Sequence, residues 1–171
     1  DYVYRSLNSK FEYLDPYSNE GQYILRYTSL SNKQNAQFRI KQIFKFERPG
    51  EQTRFDNFRM PSMVSPLDLD KYKNRFLLWH GTCTENLISI MCKGLLKSPC
   101  NDASRINGQR YGEGIYFSDS FEFSLNYARG IRVNKTDKNS TVKTSISGHR
   151  VYILLCEVGL GKIKEIRTSF D

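Results

Sequence analysis

The amino-acid sequence predicts an α+β fold with mixed or antiparallel strands and short flanking helices. Side chains in residues 38–47 alternate between apolar and charged, as in a strand that buries one face. Residues 76–79 and 151–156 are continuous apolar runs of the kind found in core strands. The helical periodicities are short and do not alternate regularly with the strands, which favours α+β over a doubly wound parallel sheet.

The first half of the chain contains one predicted helix and one predicted strand. Residues 20–27 favour two helical turns because three apolar side chains recur at helical spacing, namely Tyr23, Ile24 and Tyr27. The strand over 38–47 is expected to end at Pro49 and Gly50, which are turn residues. Residues 59–73 hold two prolines and scattered polar residues, so we predict a surface loop there.

A strand followed by a helix is predicted around the middle of the chain. The apolar run over 76–79 precedes a helix over 84–93. Thr82 and Glu85 stand three residues apart, as in a capping box. Gly94 is suited to the left-handed conformation that ends many helices.

The same order is predicted again further on. Residues 115–117 form a brief strand, and Asp119 with Glu122 are expected to cap the helix that follows. Its inner face consists of three apolar residues, Phe121, Leu125 and Ala128. Residues 131–150 lack apolar periodicity and predict an exposed loop before the last strand, 151–156.

Length and composition indicate one globular domain over residues 1–171. The 39% hydrophobic residues, with 11 Tyr and 11 Phe, exclude intrinsic disorder, and no run approaches a membrane span. A net charge of +8 favours anionic partners. Because the chain begins at Asp1 with neither an initiator Met nor an export signal, we expect it to be a piece of a longer protein.

The four cysteines match neither a metal-ligand spacing nor a compact disulfide framework. They are Cys83, Cys92, Cys100 and Cys156. A reducing nuclear or cytoplasmic location is therefore expected, with no metal cofactor.

Two clusters could carry chemistry. His80 stands where a buried strand ends at Gly81, so its side chain could face a cleft or be a core histidine satisfied by the backbone. Residues 107–118 contain several glycines and an aromatic pair, which either let the backbone approach a ligand or serve turn geometry alone. His149, in the basic loop, is expected to be a surface residue. The sequence contains no Walker loop, dinucleotide fingerprint, nucleophile elbow or zinc-protease helix.

Taken together, the motifs resemble the catalytic domain of the poly(ADP-ribose) polymerases, an ADP-ribosyltransferase family. The resemblance covers about residues 20–165 and rests on the order and spacing of several segments. These are 77–82, 94–95, 111–119, Ser124 with Tyr127, and 154–161. The family implies an ADP-ribosyltransferase-like fold and NAD+ as co-substrate, with no metal.

The resemblance also implies a role for individual residues. His80 hydrogen-bonds a ribose hydroxyl of NAD+, while Gly81 and Ser124 meet the nicotinamide carboxamide. Tyr116 and Tyr127 frame the nicotinamide ring, Tyr127 by stacking. By the same resemblance, His80 and Tyr116 are expected to be the catalytic pair. The remaining NAD+-binding residues are Thr82 and Asn86 on the adenosine side, and Gly114 and Phe117 in the glycine-rich cluster.

The implied reaction is cleavage of the bond between nicotinamide and ribose, with transfer of ADP-ribose to an acceptor protein, possibly the chain itself. Positive charge develops on the sugar, so a glutamate is required as the third member of the set. That glutamate lies on a later strand in the family, and we expect the C-terminal strands that carry it to be missing here. Three carboxylates in the chain are poor substitutes: Glu113, Asp119 and Glu157.

Two positions depart from the family pattern, and a third bears on the growth of a polymer. Leu96 replaces a basic residue that contacts the adenosine side, and Phe123 replaces a lysine beside the nicotinamide pocket. Arg110 lies near the docking place of a growing polymer. Poly- versus mono-transfer therefore stays open.

Two other functions are compatible with the sequence. One is a catalytically silent module that binds NAD+ or ADP-ribose. The other is nucleic-acid binding by the basic surface, but the Lys and Arg residues are spread along the chain without a recognised motif. We expect no membrane contact, and nucleic-acid contact only through other domains.

Overall fold

A computed structural model of the chain describes residue 7 and residues 9–33, 37–57, 75–97, 112–128, 150–160 and 163–165. The described residues form short antiparallel strands with helices around them, as the α+β prediction requires. In chain order the elements are β1 (Lys10–Leu14), α1 (Asn19–Leu30), β2 (Ile43–Glu47), α2 (Glu51–Asn57), β3 (Arg75–Gly81), a 3₁₀ turn (Thr84–Asn86), α3 (Leu87–Lys93), α4 (Phe121–Ala128) and β4 (Ile153–Gly159). None of the helices formed by these residues is long and apolar enough to cross a membrane.

The strand pair that carries the core is β3–β4. The two strands are antiparallel, from Arg75 opposite Gly159 to Gly81 opposite Ile153. On one face, Trp79 packs against α4 in an edge-to-face contact with Phe121, with ring centroids 5.1 Å apart. The predicted inner face of α4 is confirmed, since Phe121, Leu125 and Ala128 are all buried.

Helix α1 is attached to this core by two polar residues. The Tyr27 hydroxyl donates a hydrogen bond to the Leu77 carbonyl at 2.6 Å, and its ring stacks on Trp79. The Ser31 hydroxyl accepts a hydrogen bond from the Trp79 indole nitrogen at 3.1 Å. The Ser31 carbonyl accepts a further bond from the Phe121 amide at 3.0 Å. The end of α1 therefore fixes both β3 and the start of α4.

The second strand pair, β1–β2, is a short ribbon. Its register runs from Lys10 opposite Glu47 to Leu14 opposite Ile43. The predicted strand over 38–47 was too long, because β1 has only five residues and ends opposite Ile43. The aromatic residues do share one face, where they form the cross-strand pairs Phe11–Phe46 and Tyr13–Phe44.

Helix α2 was not predicted. It starts directly after Gly50, which has a φ of 69°, so the turn that ends β2 also begins a helix. Arg75 holds it against β3, because the guanidinium lies 4.3 Å from the centroid of the Phe55 ring and 2.8 Å from the Asp56 carboxylate.

The predicted helix over 84–93 begins as the 3₁₀ turn and continues as α3. The capping box is wrong, since the Thr82 hydroxyl accepts a hydrogen bond from the Asn86 side chain at 2.9 Å instead. Gly94 ends the helix at the expected residue, but not in the left-handed helical conformation, because its φ of 86° is combined with a ψ of −178°.

Two predictions near α4 are also corrected. Residues 115–117 do not form a strand, because this segment pairs with β3 only through an isolated bridge between Trp79 and Ser118. The helix cap is Ser120, whose hydroxyl accepts the Phe123 amide at 3.3 Å. Asp119 and Glu122 contact Lys33 instead, which ties this end of α4 to the end of α1.

The predicted loop over 59–73, His149, Cys100 and Arg110 lie outside the described residues, as does the loop over 131–150 except for Arg150. The last strand runs over 153–159, beginning two residues later than predicted.

Candidate active site

His80 is the next-to-last residue of β3 and is half-buried. Its Nδ1 lies 2.9 Å from the Tyr116 carbonyl oxygen. Because a carbonyl can only accept, Nδ1 carries the hydrogen and donates it, and Nε2 is the acceptor atom of the neutral ring. Burial lowers the pKa of His80 from its usual 6.5, partly opposed by the hydrogen bond to Tyr116. The imidazole is therefore neutral at pH 7.

The glycine-rich turn approaches His80 through Tyr116 and Phe117. The Phe117 ring lies 5.6 Å from the His80 ring, centroid to centroid, at an interplanar angle of 57°. The Tyr116 hydroxyl donates to the Gly112 carbonyl at 2.6 Å. Gly112 has a φ of 92°, a conformation that side chains disfavour. Among the described residues of the turn, Gly112 is therefore the glycine that the backbone requires, and Phe117 is the aromatic side chain that contacts β3.

The backbone of Gly81 lies directly against the backbone of Ser124 in α4. A Cβ added to Gly81 would overlap the Ser124 carbonyl oxygen and lie 2.7 Å from its carbonyl carbon. Ser124 is itself buried, at 3% exposure. Only glycine lets β3 and α4 approach this closely, so the two residues expected at the carboxamide are neighbours.

These contacts bring five of the predicted residues together at the end of β3. Because His80 and Gly81 are consecutive, the imidazole group and the Gly81–Ser124 contact share one strand end. The five residues are His80, Gly81, Tyr116, Phe117 and Ser124.

The other predicted residues share no hydrogen bond or ring contact with His80 among the described residues. Thr82 and Asn86 bind each other. Tyr127 is 39% exposed and packs edge-to-face on Phe123, one helical turn beyond Ser124. Gly114 is exposed, and a Cβ there would meet nothing within 4 Å.

Each of the three carboxylates that could substitute for the missing glutamate forms an ion pair with a cation. Glu113 lies 3.3 Å from the Lys97 amino group, and Glu157 lies 3.3 Å from the Arg75 guanidinium. Asp119 pairs with Lys33. None of these contacts reaches His80.

The Cys156 thiol is a poor nucleophile at neutral pH. Cys156, on β4, is half-buried, and burial raises its thiol pKa to about 11, which the Arg48 charge only partly opposes. This thiol stays protonated at neutral pH, and only the thiolate is reactive. No group of three or more potential metal ligands occurs within the part of the chain that the structure describes.

Sequence reasoning missed the residues that position the site rather than line it. Ser31 and Tyr27 hold β3 through Trp79 and Leu77. Tyr27 gave a signal only as an apolar helix residue, and its hydroxyl keeps its proton because burial, followed by the Asp119 charge, raises its pKa. Nothing in the local pattern marks Ser31, since its partners are distant in sequence.

Known proteins are similar to this chain over almost its full length. Residues 18–170 match the family model described as the Poly(ADP-ribose) polymerase catalytic domain. The chain is 32% identical over 172 residues to Poly [ADP-ribose] polymerase 1 of Danio rerio and 31% identical over 169 residues to Poly [ADP-ribose] polymerase 2 of Zea mays. It is 30% identical over 172 residues to Poly [ADP-ribose] polymerase of Drosophila melanogaster. The matches cover 99%, 97% and 99% of the chain but 14%, 22% and 15% of the relatives, so the chain spans less than a quarter of their length.

Proposed function

Since the chain belongs to the poly(ADP-ribose) polymerase catalytic-domain family, we propose that it binds NAD+, breaks the bond between nicotinamide and ribose, and transfers ADP-ribose to a protein acceptor. The observation that carries this function is the grouping of His80, Tyr116 and Phe117 beside the Gly81–Ser124 contact. NAD+ is a co-substrate in this reaction, and its nicotinamide leaves with the bonding electron pair while the acceptor supplies the new bond and releases a proton.

The polar groups at the end of β3 suit two parts of NAD+, a ribose hydroxyl and the carboxamide of the nicotinamide. The Nε2 atom of His80 accepts a hydrogen bond from a ribose hydroxyl. The carboxamide needs one fixed donor and one fixed acceptor, which Gly81 supplies through its backbone and Ser124 through its hydroxyl. The close approach of these two residues keeps both partners at one place.

Aromatic side chains in this region suit the flat nicotinamide ring. Tyr116 and Tyr127 frame the ring, and the exposed face of Tyr127 is available for stacking. Phe117 adds an apolar wall beside His80. The Gly114 backbone lies along the cleft, and Thr82 with Asn86 contacts the adenosine half.

Stabilisation of the developing positive charge on the sugar requires a carboxylate. We do not assign this role to Glu113, Asp119 or Glu157, because each is held by a cation. The same observation favours a second candidate, a module that binds NAD+ or ADP-ribose without transferring it. The proposal also includes a protein acceptor and a nuclear or cytoplasmic location, and it leaves open how many ADP-ribose units are added. These points are inferred from relatives that are longer than this chain.

Calorimetric titration with two partial ligands tests the binding site. Benzamide represents the nicotinamide, and ADP-ribose represents the rest of the co-substrate. Tyr127→Ala should weaken benzamide binding about tenfold, since it removes the stacking ring. His80→Ala should weaken ADP-ribose binding by a similar factor.

Tyr23→Ala is the matched control, because Tyr23 is 72% exposed on α1, outside the proposed site. Equal affinity of wild-type and Tyr127→Ala protein for benzamide would refute the nicotinamide pocket. Label on the protein after incubation with NAD+ labelled in its adenine would identify a transferase, because a module that only binds the ligand attaches none.

A further inference from the structure

Tyr116 joins the glycine-rich turn to the His80 imidazole through two different atoms. Its hydroxyl donates to the Gly112 carbonyl at 2.6 Å, and its own carbonyl accepts the His80 Nδ1 hydrogen at 2.9 Å. The side chain thus holds the turn while the backbone meets the imidazole. A shift of the turn would change the hydrogen bond at Nδ1.

The segment that presents this carbonyl is held at both ends. At one end, Gly112 has a φ of 92°, and its carbonyl accepts the hydrogen bond from the Tyr116 hydroxyl. At the other end, Ser118 and Trp79 exchange two backbone hydrogen bonds of 2.8 and 2.9 Å. Phe117 then lies against the His80 ring. The Tyr116 carbonyl is therefore presented to β3 in one arrangement.

A neutral imidazole has one N–H group, so the partner of one nitrogen decides the role of the other. With the Tyr116 carbonyl at Nδ1, the hydrogen must lie on Nδ1, and Nε2 offers a lone pair. Partial burial favours this neutral form because it lowers the His80 pKa. An incoming hydroxyl at Nε2 must then be the donor.

We propose that Tyr116 is a positioning residue for His80: it fixes the imidazole tautomer in which Nε2 is the acceptor, so that the site selects a ribose hydroxyl that donates its hydrogen. The inference rests on the proposed function, because the hydroxyl is one of NAD+. It also adds to that function, since it gives the contact a direction and names the residue that sets it.

The chain allows the tautomer to be read directly. His80 and His149 are the only two histidines, so a His149→Gln variant with ¹⁵N-labelled histidine reports His80 alone. In the free protein at pH 7.5, the one-bond and two-bond ¹H–¹⁵N correlations should show a protonated Nδ1 and a bare Nε2. A protonated Nε2 would overturn the proposal whatever the protein binds.

The direction of the hydrogen bond is tested with ADP-ribose analogues in which one ribose hydroxyl at a time is replaced by hydrogen or by fluorine. Fluorine does not donate, so both replacements at the contacted hydroxyl should weaken binding about tenfold and remove the ligand-induced shift of Nε2. Unchanged affinity of every fluoro analogue would overturn the proposal. Failure of ADP-ribose itself to bind would instead refute the proposed function, and the tautomer measurement on the free protein would stand.

The positioning role of Tyr116 is tested by Tyr116→Phe, which removes the bond to Gly112 but keeps the ring. It should add a second His80 tautomer to the spectrum and weaken ADP-ribose binding about threefold. Tyr152→Phe is the matched control, because Tyr152 is 50% exposed beside β4 and should leave the spectrum unchanged. Gly112→Ala, which strains a φ of 92°, is a second route to the same change. A single unaltered tautomer in both Tyr116→Phe and Gly112→Ala would show that Tyr116 does not set it.

Discussion

The two antiparallel strand pairs differ in what covers them. The β3–β4 pair is packed by α4 on one face, where Trp79 is 4% exposed and Leu125 is 2% exposed. The β1–β2 ribbon leaves its aromatic face half open, with Tyr13 at 56% and Phe44 at 49% exposure. Its aromatic pairs join its own two strands, and Arg48, the residue after β2, connects it to α3 through the Ile90 carbonyl at 2.7 Å.

The predicted site residues lie with the covered pair or in the segments that join it, and none lies on the ribbon. A strand end can hold ligand-binding groups in fixed positions when a helix packs closely on it and polar side chains secure that helix. Here Gly81, Ser31 and Tyr27 provide those contacts. The ribbon, by contrast, is stabilised mainly by aromatic pairs between its two strands, and it carries none of the predicted site residues.

The largest expected effect is at the closest contact of the covered pair. Gly81→Ala should lower the free energy of unfolding by about 4 kcal/mol or more, because the new Cβ meets the Ser124 backbone, which cannot move without displacing α4. Urea unfolding followed by circular dichroism measures it. Gly114→Ala is the control and should change stability by less than about 1 kcal/mol, since its Cβ meets nothing within 4 Å. Equal stability of the two variants would contradict the described β3–α4 contact.

Truncations in the two regions should differ next. Leu125→Ala removes a side chain that is 2% exposed and should cost about 3 kcal/mol. Phe44→Ala, on the ribbon, should cost about 1 kcal/mol, because the ring is already 49% exposed and loses mainly its pair with Tyr13. The same urea experiment compares them, and a larger loss for Phe44→Ala would reverse the ranking of the two pairs.

A smaller loss of folding stability is expected for Ser31→Ala. The Trp79 indole nitrogen would remain buried without its acceptor, which costs about 2 kcal/mol. Ser29→Ala, at an exposed position of the same helix, should be nearly neutral. Trp79 is the single tryptophan, so its fluorescence during unfolding reports this contact directly. Identical unfolding midpoints for the two serine variants would show that the bond does not contribute.

The smallest expected effect is the pH dependence contributed by His80. Because burial lowers its folded-state pKa below 6.5, the unfolded chain binds more protons in this range, and stability falls as pH decreases below about 6.5. The slope stays below the roughly 1.4 kcal/mol per pH unit of one full proton. Unfolding between pH 7.5 and 5 should therefore show less pH dependence in His80→Gln than in His149→Gln. Equal slopes in both variants would indicate an unshifted His80.

Local patterns predicted the elements whose partners are close in sequence or strongly apolar. The inner face of α4 followed from the spacing of Phe121, Leu125 and Ala128. The end of α3 followed from Gly94. The apolar run over 76–79 predicted β3, although the Phe76 and Leu77 side chains are about half exposed in the described structure.

Elements that depend on distant partners were missed or given the wrong bounds. The strand predicted over 38–47 is observed only as β2, because the length of β1 limits how many residues can pair with it. The strand predicted over 115–117 is absent. Instead, Ser118 forms an isolated bridge with Trp79 through one pair of backbone hydrogen bonds. The Thr82 hydroxyl accepts a hydrogen bond from the Asn86 side-chain amide, so it does not form the predicted helix cap.

The candidate site was predicted through the resemblance rather than through periodicity. Five of its residues meet at the end of β3, which no local pattern could establish, because His80 and Tyr116 are 36 positions apart. The contacts that hold the site, such as Ser31 with Trp79, join residues 48 positions apart and leave no repeat in the sequence.

Ser31 bonds three elements at once, and this has a consequence for the order in which the molecule opens. Its hydroxyl and carbonyl satisfy the Trp79 indole and the Phe121 amide, while its amide donates to Tyr27 at 3.0 Å. No one of these bonds can be exposed to solvent by a movement that leaves the other elements in place. In hydrogen–deuterium exchange, the indole and the Phe121 amide should therefore exchange together as one cooperative unit, at a rate set by the opening of α1, β3 and α4 jointly.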